Sequence, residues 1–232
     1  MNITKNHKIL IKNFNIFSSG IEKSAKRNSK INDNNFKFKI QEFGDSFTNS
    51  DGLPEFNKTA QRFAENLVNL NNDKLAGIVY STLIKLNRGK DAEFVEKIAT
   101  KALAIAKRKN DSVHIAARAN DLKEIYKISE YGSDRHLKIL QEEKRALKNI
   151  CNNYEGAKTR FETITRQMRS VDKYEEMLAA IRIEVAEVLI KKGSELQLAK
   201  SELLQAKEFY DKFPEGHNTK KITAILKKLE CN

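Results

Sequence analysis

Proline and glycine are scarce in this chain. Two prolines and nine glycines in 232 residues exclude an all-β fold built on many tight turns. No run of roughly 18 or more apolar residues occurs, so no membrane span is expected. Only two cysteines occur, Cys151 and Cys231. They form neither a metal-type pair nor a disulfide framework, which fits a reducing compartment, and the cytoplasm is the expected location. Cys151 is expected to be buried on a helix face. Glycine clusters are also missing. Without G-x-x-x-x-G-K-[ST], G-x-G-x-x-G or G-x-S-x-G, no phosphate cradle or nucleophile elbow is present. His7, His114, His136 and His217 stand apart from one another and from any acidic or thiol partner at metal-ligand spacing. The acidic pairs Glu142-Glu143 and Glu175-Glu176 are adjacent on helices expected to be solvated, whereas acid–base work needs buried, convergent carboxylates. These absences lead to the expectation of a protein that is not an enzyme, with no catalytic residue, no metal and no cofactor.

Basic residues outnumber acidic ones, 43 against 31, for a formal charge of +12. Such an excess favours an anionic partner, although AT-rich coding alone also enriches lysine and asparagine. Residues 1–50 carry nine Lys or Arg against Glu22, Asp33, Glu42 and Asp45. Their Asn/Ser-rich texture, as in NSKINDNNFKFK, predicts a disordered basic tail with too little apolar surface to offset ordering entropy. Lys5, Lys8 and Lys12 precede the first acid, so targeting to an organelle through this basic start is the alternative location, although the start has no arginine. Phe36, Phe38 and Ile40 alternate with Lys37 and Lys39. That fits a short strand or a docking motif, and a disordered or loosely docked segment is the stronger expectation.

From Leu53 onward the pattern is helical, so residues 51–232 are expected to form an all-helical domain. Pro54 suits a first helical turn. Phe56, Ala60, Phe63, Leu67 and Leu70 form one stripe, and Leu75, Val79, Leu83 and Leu86 form the next, which ends at Gly89. Asp91 caps a third helix carrying Phe94, Ile98, Ala102 and Ile105, and Asp111-Ser112 opens a fourth with Ile115, Ala119, Leu122 and Tyr126. After Tyr131-Gly132, Ser133-Asp134 opens a fifth through Leu137, Leu140, Leu147 and Cys151. Asn152-Asn153 is read as a break before a helix through Tyr154, Phe161 and Met168. Pro214-Glu215-Gly216 is a turn before a last short helix with Ile222, Leu226 and Leu229.

The best-specified segment is Asp172 to Phe213. Two stripes meet at Gly193-Ser194, where Gly193 suits a left-handed helix end and Ser194 with Gln197 forms a capping box. Lys191 and Lys192 sit where the helix dipole favours cations. IAARANDLKEIYKIS aligns with LAAIRIEVAEVLIKK, placing Ala116-Ala117 on Ala179-Ala180. KALAIAKRKNDSVHIAARANDLKEIYK, together with Ala199, Leu203 and Ala206 in the second hairpin, resembles the tetratricopeptide repeat over residues 94–214. The chain departs from that family in lacking tryptophan and the Leu-Gly pair of the first helix. The resemblance implies an all-α fold of antiparallel helical hairpins stacked as a short α-solenoid. A compact helical bundle is the alternative. A long coiled coil is the third alternative, and the absence of a heptad register across the turns counts against it.

An array of that kind implies a scaffold that holds a partner's peptide or helix on its surface. Asn120, Lys123 and Arg182, the polar positions beside the alanines, are the candidate contacts. Lys158, Arg166 and Arg169 gather around one helix and its exit and would suit an acidic protein partner. Nucleic acid is the second partner class, held by the basic tail and the same basic face. The oligomeric state stays open.

Overall fold

The computed structural model describes the backbone of residues 5–27, 29–48, 50–158 and 165–230, and their side chains apart from 5 and 154–172. Among these residues ten helices and no strand occur: α1 (Lys5–Lys26), α2 (Asp33–Phe47), α3 (Leu53–Asn69), α4 (Asp73–Asn87), α5 (Ala92–Arg108), α6 (Ser112–Ser129), α7 (Asp134–Lys158), α8 (Thr165–Lys192), α9 (Leu196–Tyr210) and α10 (His217–Glu230). The all-α expectation holds. Contacts divide the chain into two compact units, Met1–Ile105 and Ala106–Asn232.

The expected disordered tail over residues 1–50 is corrected in the first unit, where 5–26 and 33–47 are helical. The physical reason is aromatic. Phe14 is fully buried, and its ring lies 5.3 Å from Phe43, 5.1 Å from Phe56 and 5.8 Å from Phe63. Phe47 stacks on Phe56 at 4.8 Å and Phe17 stacks on Phe36 at 6.0 Å. Each ring removes about 150–250 Å² from water, so a few of them offset an otherwise polar composition. The FKFK segment is helix, not strand. Asn32 Oδ1 accepts from the N–H groups of Asn34 and Asn35, both at 3.1 Å, and starts α2. Phe36, Ile40 and Phe47 then fall on one buried face, while Phe38 points out at 70% exposure.

Within this unit α3 and α4 form a hairpin. α1 packs on α3, and α2 packs on α4 and α3. Gly44 permits the close approach of α2 to α4, since a Cβ there would sit 2.8 Å from Leu86 Cδ1. A buried amide pair ties α3 to the end of α4: Asn57 Nδ2 donates to Asn87 Oδ1 at 2.7 Å and Asn87 Nδ2 donates to Asn57 Oδ1 at 3.0 Å.

In the second unit the helices pack in chain order, α6 on α7, α7 on α8, α8 on α9 and α9 on α10. The aligned alanines Ala116 and Ala179 are each 3% exposed, and Ala199, Leu203 and Ala206 are fully buried, so small residues do lie at the helix contacts. The expected break at Asn152-Asn153 is absent. α7 continues through it to Lys158 and α8 begins at Thr165, while the part of the expected helix at 159–164 lies outside the described residues.

Three helices end alike. Asn71, Asn110 and Gly193 take left-handed φ values of 57°, 51° and 64°. In α8 the Gly193 N–H donates to Ile190 O at 2.9 Å and the Ser194 N–H to Leu189 O at 3.3 Å. The same paired bonds close α3 at Asn71-Asn72 and α5 at Asn110-Asp111. The capping box expected at Ser194 does not form. Glu195 occupies the cap position of α9 at φ 52° without a side-chain bond. Asp91 and Asp111 cap α5 and α6 as expected, accepting from Phe94 N–H at 2.9 Å and His114 N–H at 3.1 Å.

Candidate functional site

Charged side chains gather inside the second unit. Lys123 on α6 is 7% exposed. Its Nζ lies 3.4 Å from Glu143 Oε2 on α7, 3.6 Å from Glu184 Oε1 on α8 and 3.8 Å from Glu124 Oε1. On the α7–α9 side, Lys144 pairs with Glu202, and Arg182 Nε of α8 lies 3.9 Å from the same carboxylate. Arg118 Nη1 meets Asp121 Oδ2 at 3.2 Å. Beyond these, Glu187 of α8 meets Lys221 of α10 at 2.7 Å, and Lys107 meets Glu142 at 2.8 Å. Ion pairs thus join adjacent helices and also alternate ones, α6 to α8, α8 to α10 and α7 to α9.

Burial governs the titration of this cluster. Glu143 is 2% exposed, and loss of hydration pushes its carboxyl up to about 7. Lys123 opposes that rise, while Glu184 and Glu124 add to it. His136, at 1% exposure, is held below its ordinary pKa, first by burial and then by Lys127 and Lys123, against the pull of Glu184 and Glu130. Its Nδ1 accepts from the Gly132 N–H at 3.2 Å, so the ring proton of the neutral form sits on Nε2. Ser133 Oγ accepts from the His136 N–H at 3.0 Å and starts α7.

The turn between α6 and α7 is tied down by the end of α8. Lys191 Nζ donates to Tyr131 O at 3.0 Å and stands 4.5 Å above the Tyr131 ring, while Lys192 pairs with Asp134. The two lysines read as dipole partners of their own helix end thus also reach a neighbouring one.

The structure engages both Lys123 and Arg182 in ion pairs, Lys123 with Glu143 and Glu184 and Arg182 with Glu202. Asn120 is half-buried on α6 one turn before Lys123. The side chains of Lys158, Arg166 and Arg169 lie outside the described residues. Glu143, read from sequence as part of a solvated pair, is corrected to a buried position. A signal for it existed: the α7 stripe runs from Leu140 to Leu147 with no apolar residue three or four positions on. Glu143 fills that gap, as His136 does one turn before Ile139 and Leu140. Glu184 and Glu202 likewise fall next to Val185 and Leu203, on the edges of their stripes.

In the first unit, α1 and α3 border an open groove of about 770 Å³ whose lining includes Asn15, Ser18, Glu22, Lys58, Arg62 and Asn66. Asn66 Nδ2 donates to Glu22 Oε1 across it at 2.9 Å. Among the described residues no group of three His, Cys, Asp or Glu could hold a metal ion, and no helix is long and apolar enough to cross a membrane. No protein-family model matches this chain, and no curated protein matches it.

Proposed function

We propose that this protein is a non-enzymatic scaffold whose second unit is a short array of tetratricopeptide-like hairpins holding a partner's peptide or helix. The observation that carries this reading is the chain-order packing of α6 to α10, with ion pairs linking alternate helices. Arrays of this kind have long, continuous faces, and each hairpin can present its own side chains along them. The clustered charges serve such a face by fixing helix positions. Lys123 and Arg182 are already engaged with carboxylates, which leaves Asn120 as the half-buried candidate beside them in sequence. Direct contact falls to more exposed positions on α6, of which Ile128 is 89% exposed and Val113 is 46% exposed.

The test is capture by the immobilised full chain, compared with Ile128→Asp and Asn120→Arg variants of unchanged helicity. The expected outcome is one protein partner that the wild type retains and both variants lose by about tenfold or more, the size of a central contact at an interface. Equal retention by the variants would remove α6 from the binding face. Recovery of nucleic acid alone, with loss on raising salt, would replace the scaffold by the nucleic-acid reading.

A further inference from the structure

The first helix is amphipathic in an unusual sense, because both of its faces have apolar residues. Phe14, Ile11 and Ala25 are buried in the first unit. On the opposite side Ile9 and Ile16 stand 50% and 64% exposed, two turns apart. Lys12 lies between them, and Lys23 continues the same face two turns beyond Ile16. Lys8 and Lys26 flank it, and all four lysines are exposed. None of the four forms an ion pair among the described residues. The only acid of α1, Glu22, is turned towards α3, where Asn66 bonds it. The outer face of α1 therefore carries exposed isoleucine and lysine with no carboxylate.

From this charge pattern we infer that the outer face of α1 docks on an anionic lipid surface. Ile9 and Ile16 enter the headgroup boundary, and Lys8, Lys12, Lys23 and Lys26 meet the acidic headgroups. Charge complementarity alone would also suit nucleic acid. The isoleucines decide between the two, because exposed aliphatic side chains gain nothing on a phosphate backbone but leave water at a bilayer interface. Phe14 and Phe17, the aromatic residues of α1 that could stack on bases, are engaged with Phe43 and with each other. Attachment is peripheral, with α1 lying along the surface, and it is independent of partner binding by the second unit.

The experiment is partition of the full chain onto vesicles of phosphatidylcholine alone or with about 30% phosphatidylserine at physiological salt. Binding to the anionic vesicles only is expected. Lys12→Glu with Lys23→Glu should weaken it by well over the roughly fivefold expected for each lysine lost. Ile9→Asn with Ile16→Asn, which leaves charge unchanged, should also weaken it severalfold. Lys227→Glu with Lys228→Glu, an equal change of net charge on exposed positions of α10, should leave it intact. The chain has no tryptophan, so Ile16→Trp supplies a lone reporter. Its emission should move to shorter wavelength on anionic vesicles. No partition above that on neutral vesicles would overturn the inference. So would equal loss in the α10 variant, or an unchanged isoleucine variant whose α1 lysines instead retain nucleic acid.

Discussion

Glu143 concentrates the residue-scale chemistry of the second unit. Its pKa is raised from 4.5 to about 7 in the folded chain. Between those values the folded protein keeps a proton that the unfolded chain has lost, so raising the pH favours unfolding. The contribution is fully present below about 4.5 and gone above about 7, and it amounts to roughly 3 kcal/mol. His136 acts in the opposite sense. With its pKa depressed from 6.5, it favours unfolding as pH falls below that value. The two are separated by comparing variant with wild type. Glu143→Gln keeps His136 and removes the carboxylate, so its melting temperature relative to wild type should be several degrees higher at pH 8 than at pH 5. A difference independent of pH would place Glu143 in water. Lys123 holds the other side of the cluster. Lys123→Met leaves Glu143 and Glu184 without their cation and should cost about 3–5 kcal/mol in denaturant unfolding. Adding Glu143→Gln should recover much of that, since the buried charge left unpaired is then removed. Neither residue's role was plain in the sequence. A charged residue on an apolar stripe shows as a gap, and only the facing helices show what compensates it.

At the scale of elements, helix positions from Leu53 onward were readable because stripes, caps and breaks agreed. Asp91, Asp111 and Gly193 each act as their residue type and position predict. The misses have physical causes. Composition over residues 1–50 was averaged, while the stabilisation comes from a few phenylalanines meeting Phe56 and Phe63 far along the chain. Phe14→Ala should therefore cost about 3–5 kcal/mol, as for a fully buried ring, and should expose residues 5–47 to protease. Insensitivity of both readouts would return that segment to a tail. Asparagine favours turns, so Asn152-Asn153 predicts a break, but two such residues in a long helix cost it little. Glycines give a contrasting pair of tests. Gly193→Ala forces a Cβ into the left-handed region and should destabilise by about 1–2 kcal/mol. Gly77, in the interior of α4 with open space where its Cβ would be, should instead gain about 0.5–1 kcal/mol as alanine. Thermal or denaturant unfolding checks both signs.

On the scale of the whole molecule, the helical class was legible, and short connections favour packing of helices in chain order. The pairing of α1 with α3 and of α2 with α4 was not. A stripe shows that a face must be buried but does not choose among several apolar partners. Asn120, Lys123 and Arg182 were legible as polar positions beside small residues, but the ion pairs that engage Lys123 and Arg182 come from carboxylates on three other helices. The proposed role, holding a protein partner on a helical face, is tested most directly by one measurement. The immobilised full chain is loaded at physiological salt and washed at increasing salt up to about 0.5 M, where exposed charges are strongly screened. Retention of one protein partner throughout, lost in Ile128→Asp, is the predicted result. Release of all bound material with rising salt, with nucleic acid as its main component, would contradict it.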